Sequence, residues 1–350
     1  MPGGPRSRAR EAVAPLARVV REPDLRRLLL ALAGSYVGYW GFTVAMAVWA
    51  YGRGGAALVG VAAFARLAPA ALLGPFTGLI ADRWSRTRVM VACDLLRAAL
   101  LAGVAAAIWS DAPAAVVIAP VALVSVAGGV FRPAQAALMP ALARTPEQLT
   151  AANAAASTIE STGIFVGPAL GGLLLLVAAT HVVFLAVAAT LVASALLVLR
   201  ISVRPRAAPR PDADEHIVRQ LLAGGRLLGA DRDLRLFTSL FAAQTLVCGI
   251  ANVLVVVVAL RLLGRDQSWV GYLEAAAGVG GILGGLAAAN LVGRRTLSGP
   301  FAAGLLLWGL PLVLVGLWPA ALVALLAWAL IGVGNSLADV AGLTLLQRAA

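Results

Sequence analysis

Charged side chains stand inside apolar runs at a few places in this chain, and those places set the chemistry open to it. Asp94 and Arg97 lie three apart in one run, which puts both on one helix face, close enough to pair. Arg132 stands in the next run, Glu160 in the one after, Asp339 near the end of the sequence, and Arg66 and Glu274 in runs of their own. A charge in hydrocarbon is costly, so each is a functional candidate by default. What such residues can do is carry protons, pair, and recognise charged groups. Glu160, one turn before Gly163, is the leading proton carrier. Arg132 is a second coupling candidate, able to attract an anionic group or to tune a carboxylate, with a guanidinium reaching to the interface as the alternative. Asp94 and Arg97 sit beside a charged turn and read as the brace of a gate rather than as a proton relay. Glu274 reads as interfacial, and Arg66 has no evident partner. Tyr36, Trp40 and Thr43 share a helix face that suits stacking on an aromatic or amphipathic molecule; packing on lipid or neighbouring helices is the alternative.

Enzyme chemistry has no foothold. No nucleophile stands with a base, and no ligand set for a metal is present. Cys93 and Cys248 both fall inside apolar runs, against a disulfide or a metal site. A phosphate-binding Gly-Lys-Ser/Thr loop is missing, which disfavours ATP-driven work by this chain. No cofactor is expected.

The elements that must position these residues are membrane helices. The chain has 350 residues, 61% hydrophobic and only 13% charged. Soluble domains run near 45–50% apolar and about 25% charged. The excess is segmented into runs of roughly 18–25 residues, the length that crosses about 30 Å of hydrocarbon as helix. Ten spans are expected: 28–51, 58–80, 89–109, 114–142, 149–178, 182–199, 234–262, 269–292, 297–317 and 320–346. A basic arm, 1–27, precedes them, and a polar linker, 200–233, with an amphipathic helix separates a 28–199 bundle from a 234–350 bundle. The net charge of +12 is carried by arginines gathered at alternate turns. That pattern is membrane topology rather than nucleic-acid binding, and it puts the N-terminus in the cytoplasm. Thr145-Pro-Glu147 reads as a helix start.

One turn organises the rest: Gly78-Leu-Ile-Ala-Asp82-Arg83-Trp-Ser-Arg86-Thr-Arg88, between two long apolar runs. An offset of 211 residues places Gly60 on Gly271, Gly74 on Gly285 and Arg83 on Arg294, so the second half repeats the first. Parallel repeats of this kind mark a large class of secondary transporter. The turn resembles the signature loop of the major facilitator superfamily through Gly78, Asp82, Arg83 and Arg86, with Ser85 and Thr87 as departures and Arg88 next along. That resemblance implies two six-helix bundles, of which the last two helices are missing here, and a gate in which Asp82 meets a helix N-terminus. Gly163-Ile-Phe-Val-Gly167-Pro168-Ala-Leu-Gly171-Gly172 resembles the antiporter motif of exporters in that superfamily, with Ala154 where an earlier Gly stands. Small residues four apart also make a plain close-packing strip. Phe131-Arg-Pro133-Ala-Gln135, Glu147-Gln148-Leu149 and Asn153 resemble the subgroup of the enterobactin exporter and macrolide efflux pumps. In that layout Asp339 lines the cavity, or else caps the inner end of its span.

The resemblance implies a monomeric, proton-coupled exporter of drugs or siderophore-like small molecules in the cell membrane. An importer of the same fold, or a non-transporting scaffold, is the alternative.

Overall fold

The computed structural model describes residues 21–202, 239, 249–288 and 298–349, with backbone alone at 74–83, 339–349 and a few single positions. The expected amphipathic helix of the linker, most of the basic arm and Gly293-Arg294-Arg295 lie outside these residues. The chain divides into two compact units, Met1–Arg204 and Pro205–Ala350.

The first unit begins with α1, Pro23–Arg83, a helical stretch of 61 residues. A straight helix of that length would run about 90 Å, three membrane thicknesses. Gly54 and Gly55 divide it: Gly55 takes φ +62°, ψ −158°, a conformation that only glycine adopts without strain. The expected outer turn at Gly52–Gly55 is thus made by two residues that leave the helix. Then come α2 (Arg86–Trp109), α3 (Ala114–Leu142), α4 (Pro146–Val177) and α5 (Thr180–Leu199). Thr145 caps α4, its hydroxyl accepting from Gln148 N at 3.2 Å, with Pro146 in the first turn where its missing N–H costs nothing. In the link from α2 to α3, Asp111 adopts φ +58° and pairs with Arg53 from the α1 turn. At the opposite end Arg144 pairs with Glu22 at 2.7 Å, and Arg27 bonds both Asp24 and the carbonyl of Arg200.

The signature turn is shorter than its sequence suggests. Only Trp84 and Ser85 are non-helical; Asp82 and Arg83 close α1, and Arg86 and Arg88 open α2. Helix continued past the hydrocarbon keeps backbone hydrogen bonds made, so charge alone does not unwind it. A cation is poorly placed at a helix N-terminus. Arg86 resolves this by donating to the carbonyl of Ala137, near the negative end of α3, at 2.6 Å.

In the second unit α6 (Gly249–Leu262) ends in a wider π turn over Val258–Leu262. It is followed by α7 (Ser268–Ala288), α8 (Ser298–Leu317) and α9 (Ala321–Ala349). Asp266 opens α7. Hydrogen bonds from the Ser268 hydroxyl and N–H hold its carboxyl below the usual range. α9 lies so close to α7 that Gly280 faces the Ala329 carbonyl and Gly332 the Ala277 carbonyl, with no room for a Cβ at either. Ser336 ties the pair by donating to Gly281 O at 2.7 Å.

Among the described residues six helices are long and apolar enough to cross a membrane, with mean hydropathy 1.6–2.8; Gly249–Leu262 and Phe301–Leu317 are shorter apolar helices. Large apolar side chains such as Phe64, Leu72, Leu196 and Leu322 face outward. An apolar exterior on this scale is unstable in water and suited to lipid. The chain is an all-helical membrane protein.

Candidate functional site

α1 is central to the first unit, packed against α3, α4 and α5. Its contact with α4 explains where the first cluster forms. Gly163, Gly167 and Gly171 of α4 lie against Tyr36, Trp40 and Gly41 of α1: a Cβ at Gly167 would come 2.5 Å from Trp40 Cβ and 2.8 Å from Val37 O. One at Gly171 would meet the Gly41 carbonyl at 2.8 Å. Pro168 and Gly172 are buried in the same stretch. The glycine motif therefore acts here as a seam that draws two backbones together.

That closeness brings Glu160, one turn before Gly163, onto α1. The Tyr36 hydroxyl donates to Glu160 Oε1 at 2.5 Å. Arg132 of α3 reaches the same oxygen, with Nη2 at 3.7 Å, and lies over the Tyr36 ring at 5.6 Å. Three residues from three helices, far apart in sequence, meet on one carboxylate. The Arg132 side chain is 65% exposed and that of Glu160 36%, so the cluster is open on one side. Of the expected cavity face, Tyr36 joins it. Trp40 wedges on the seam, and the Thr43 hydroxyl turns back to the Trp40 carbonyl at 2.6 Å.

A second cluster is closed. Asp94 is fully buried and Arg97 is 4% exposed; Arg97 Nη1 stands 3.2 Å from Asp94 Oδ1 and donates to Ser35 Oγ at 3.1 Å. Ser194 donates to Asp94 Oδ2 at 2.6 Å, and the guanidinium lies 5.8 Å from the Phe131 ring centre. The pair expected from spacing is present. Ser35 and Ser194, which complete it, carried no signal beyond being hydroxyls in apolar runs.

Arg66, for which the sequence offered no partner, donates to the Tyr39 hydroxyl and lies 5.5 Å from that ring's centre. It is 9% exposed. A guanidinium at this depth in a helix costs about 2.5–3.5 kcal/mol on insertion scales. Gly78, Asp82, Arg83 and Asp339 fall where backbone alone is described, so their side-chain contacts lie outside the described residues. Among the described residues no cluster of His, Cys, Asp and Glu could hold a metal.

Known proteins resemble this chain at two levels. It is 29% identical over 268 residues to the lysophospholipid transporter LplT of Citrobacter koseri, an alignment covering 75% of this chain and 64% of that protein. The chain thus spans less than two thirds of that relative's length. By fold it is similar to the nucleoside transporter NupG (TM-score 0.76, 12% identity, 93% of this chain and 85% of that one). It is similar too to a D-xylose-proton symporter (TM-score 0.60, 12% identity, 93% and 88%). At such identities these two speak for the fold alone. The profile of the Major Facilitator Superfamily matches residues 28–350. Lipid-facing helices and a family match over almost the whole sequence lead to one assignment: the chain is a membrane protein of the Major Facilitator Superfamily.

Proposed function

We propose that this chain is a proton-coupled secondary transporter that carries an amphipathic small molecule by alternating access, with Glu160 taking the proton. The meeting of Tyr36, Arg132 and Glu160 carries this reading. An ionised Glu160 holds both the Arg132 guanidinium and the Tyr36 hydroxyl. A proton on it cancels the charge that Arg132 follows and frees that side chain to move. Two arrangements that bind a proton unequally are what coupling requires. The open side of the cluster and the Tyr36 ring suit a substrate with an apolar body and a polar end. The lysophospholipid relative supports including single-chain lipids in that class.

The reading takes the outward direction implied by the resemblance to the enterobactin exporter and macrolide pumps. It also takes ten spans, a 28–199 and a 234–350 bundle with 200–233 as linker, and a monomer in the cell membrane with a cytoplasmic N-terminus. Gly78, Asp82, Arg83, Arg86 and Arg88 form its inner gate, and Asp94 with Arg97 the brace beside it. Asp339 is the counterpart ionisable group of the second half.

Everted vesicles loaded by a proton gradient test it with a lipophilic fluorescent dye. Wild type concentrates the dye in everted but not in right-side-out vesicles. Glu160→Gln stops proton-driven accumulation yet still exchanges dye for dye, and Asp82→Asn slows both. Accumulation by Glu160→Gln at the wild-type rate would remove the proton assignment, and uptake only into right-side-out vesicles would reverse the direction.

A further inference from the structure

Arg66 is a buried cation whose hydrogen bond goes to a neutral hydroxyl rather than to a carboxylate. The guanidinium gives one hydrogen bond to Tyr39 Oη, whose own O–H is then free to point elsewhere. Among the described residues no carboxylate pairs with Arg66, in contrast to Arg97, Arg132, Arg144, Arg27 and Arg53, each of which has one.

Depth separates this arginine from one that merely reaches for water. Counting 1.5 Å per residue, Arg66 lies about 16 Å from the Gly54–Gly55 turn and Tyr39 about 22 Å from it. An arginine seeking the nearer interface would extend toward the turn, which is also the way helix side chains lean. Arg66 extends the other way, to the middle of the first run of α1. Its charge is kept in the core, against the Tyr39 ring and hydroxyl. Tyr36, one turn along the same helix, leads from there to the open Arg132–Glu160 pair, whose own charges cancel.

We propose that Arg66, with the Tyr39 hydroxyl, is a binding site for an anionic group, of the phosphate or carboxylate class, carried by the transported molecule. The inference rests on the transport reading of the same unit but falls separately from it. Glu160→Gln reports on the proton step, whereas Arg66→Gln reports on the charge of the ligand.

Equilibrium binding to the purified full-length chain in neutral detergent provides the test, with oleoyl lysophosphatidate and mono-oleoylglycerol as probes that share an acyl chain and differ in charge. Wild type binds the lysophosphatidate tighter by about tenfold or more, the worth of charge-assisted hydrogen bonds. Arg66→Gln brings the two probes level, with a wild-type circular-dichroism spectrum and elution profile showing that the fold is intact; Arg66→Lys keeps part of the preference. Inorganic phosphate that displaces lysophosphatidate supports the site and marks a free anion as sufficient. No displacement, with the preference intact, supports it and assigns an anion borne by the amphiphile. Equal binding of both probes by wild type, or a full preference retained by Arg66→Gln, overturns the proposal.

Discussion

Asp94 and Arg97 show how a pair visible as two letters three apart becomes a structural unit. Each has a hydroxyl partner from another helix: Ser35 lies 62 residues from Arg97 in sequence, and Ser194 lies 100 from Asp94. Removing one charge leaves the other buried and unpaired, which costs about 3–5 kcal/mol, while replacing both by apolar residues of similar volume is far milder. Asp94→Asn is therefore expected to melt well below wild type in detergent, and the double variant Asp94→Leu with Arg97→Met to regain most of the loss. If the double variant melts no higher than Asp94→Asn, the cost is not an unpaired charge. Glu160 is the opposite case, a carboxylate 36% exposed beside Arg132 and Tyr36.

For the helices, the governing contact is the α1–α4 seam. A side chain at Gly167 has to displace Trp40 Cβ and a backbone carbonyl, neither of which can yield without moving a helix. Gly167→Leu is expected to cost at least about 1–3 kcal/mol by overpacking, and to part Tyr36 from Glu160. Gly103 and Gly128 have nothing within 4 Å of a Cβ, so alanine there is expected to be neutral or to stabilise by up to about 1 kcal/mol. Thermal unfolding of the three variants compares them directly; equal melting points for Gly167→Leu and Gly103→Ala would mean the seam is not close-packed. The spacing of these glycines is legible in the sequence. Which helix fills them is not, because a strip of small residues accepts any neighbour of complementary shape.

At the scale of the molecule, the arginine-rich turns predict sidedness. Trp84, at the signature turn, and Asp111, in the link from α2 to α3, are both well exposed and lie at opposite ends of α2. With a membrane-impermeant thiol reagent on intact cells, Asp111→Cys is expected to label at once and Trp84→Cys only after permeabilisation. The native Cys93 is buried, and both variants are made in a Cys248→Ala background. Labelling of Trp84→Cys from outside would invert the topology and move the gate to the other face.

Solvent decided most of what could be read without coordinates. Runs of apolar residues long enough to span hydrocarbon leave the backbone no option but helix, since every N–H and C=O must be satisfied within the segment. The all-helical membrane class, the turn at Gly52–Gly55, the Thr145 cap and the Asp94–Arg97 pair all follow from that local rule or from helix periodicity. The tertiary structure decided who meets whom: Tyr36 and Arg132 on Glu160, Ser35 and Ser194 around the buried pair, Tyr39 on Arg66. Those contacts join residues from different helices, and in lipid helix partners are chosen by shape and by the rare polar group. The sequence shows which residues are small or polar, but which of them meet is settled only when the helices pack.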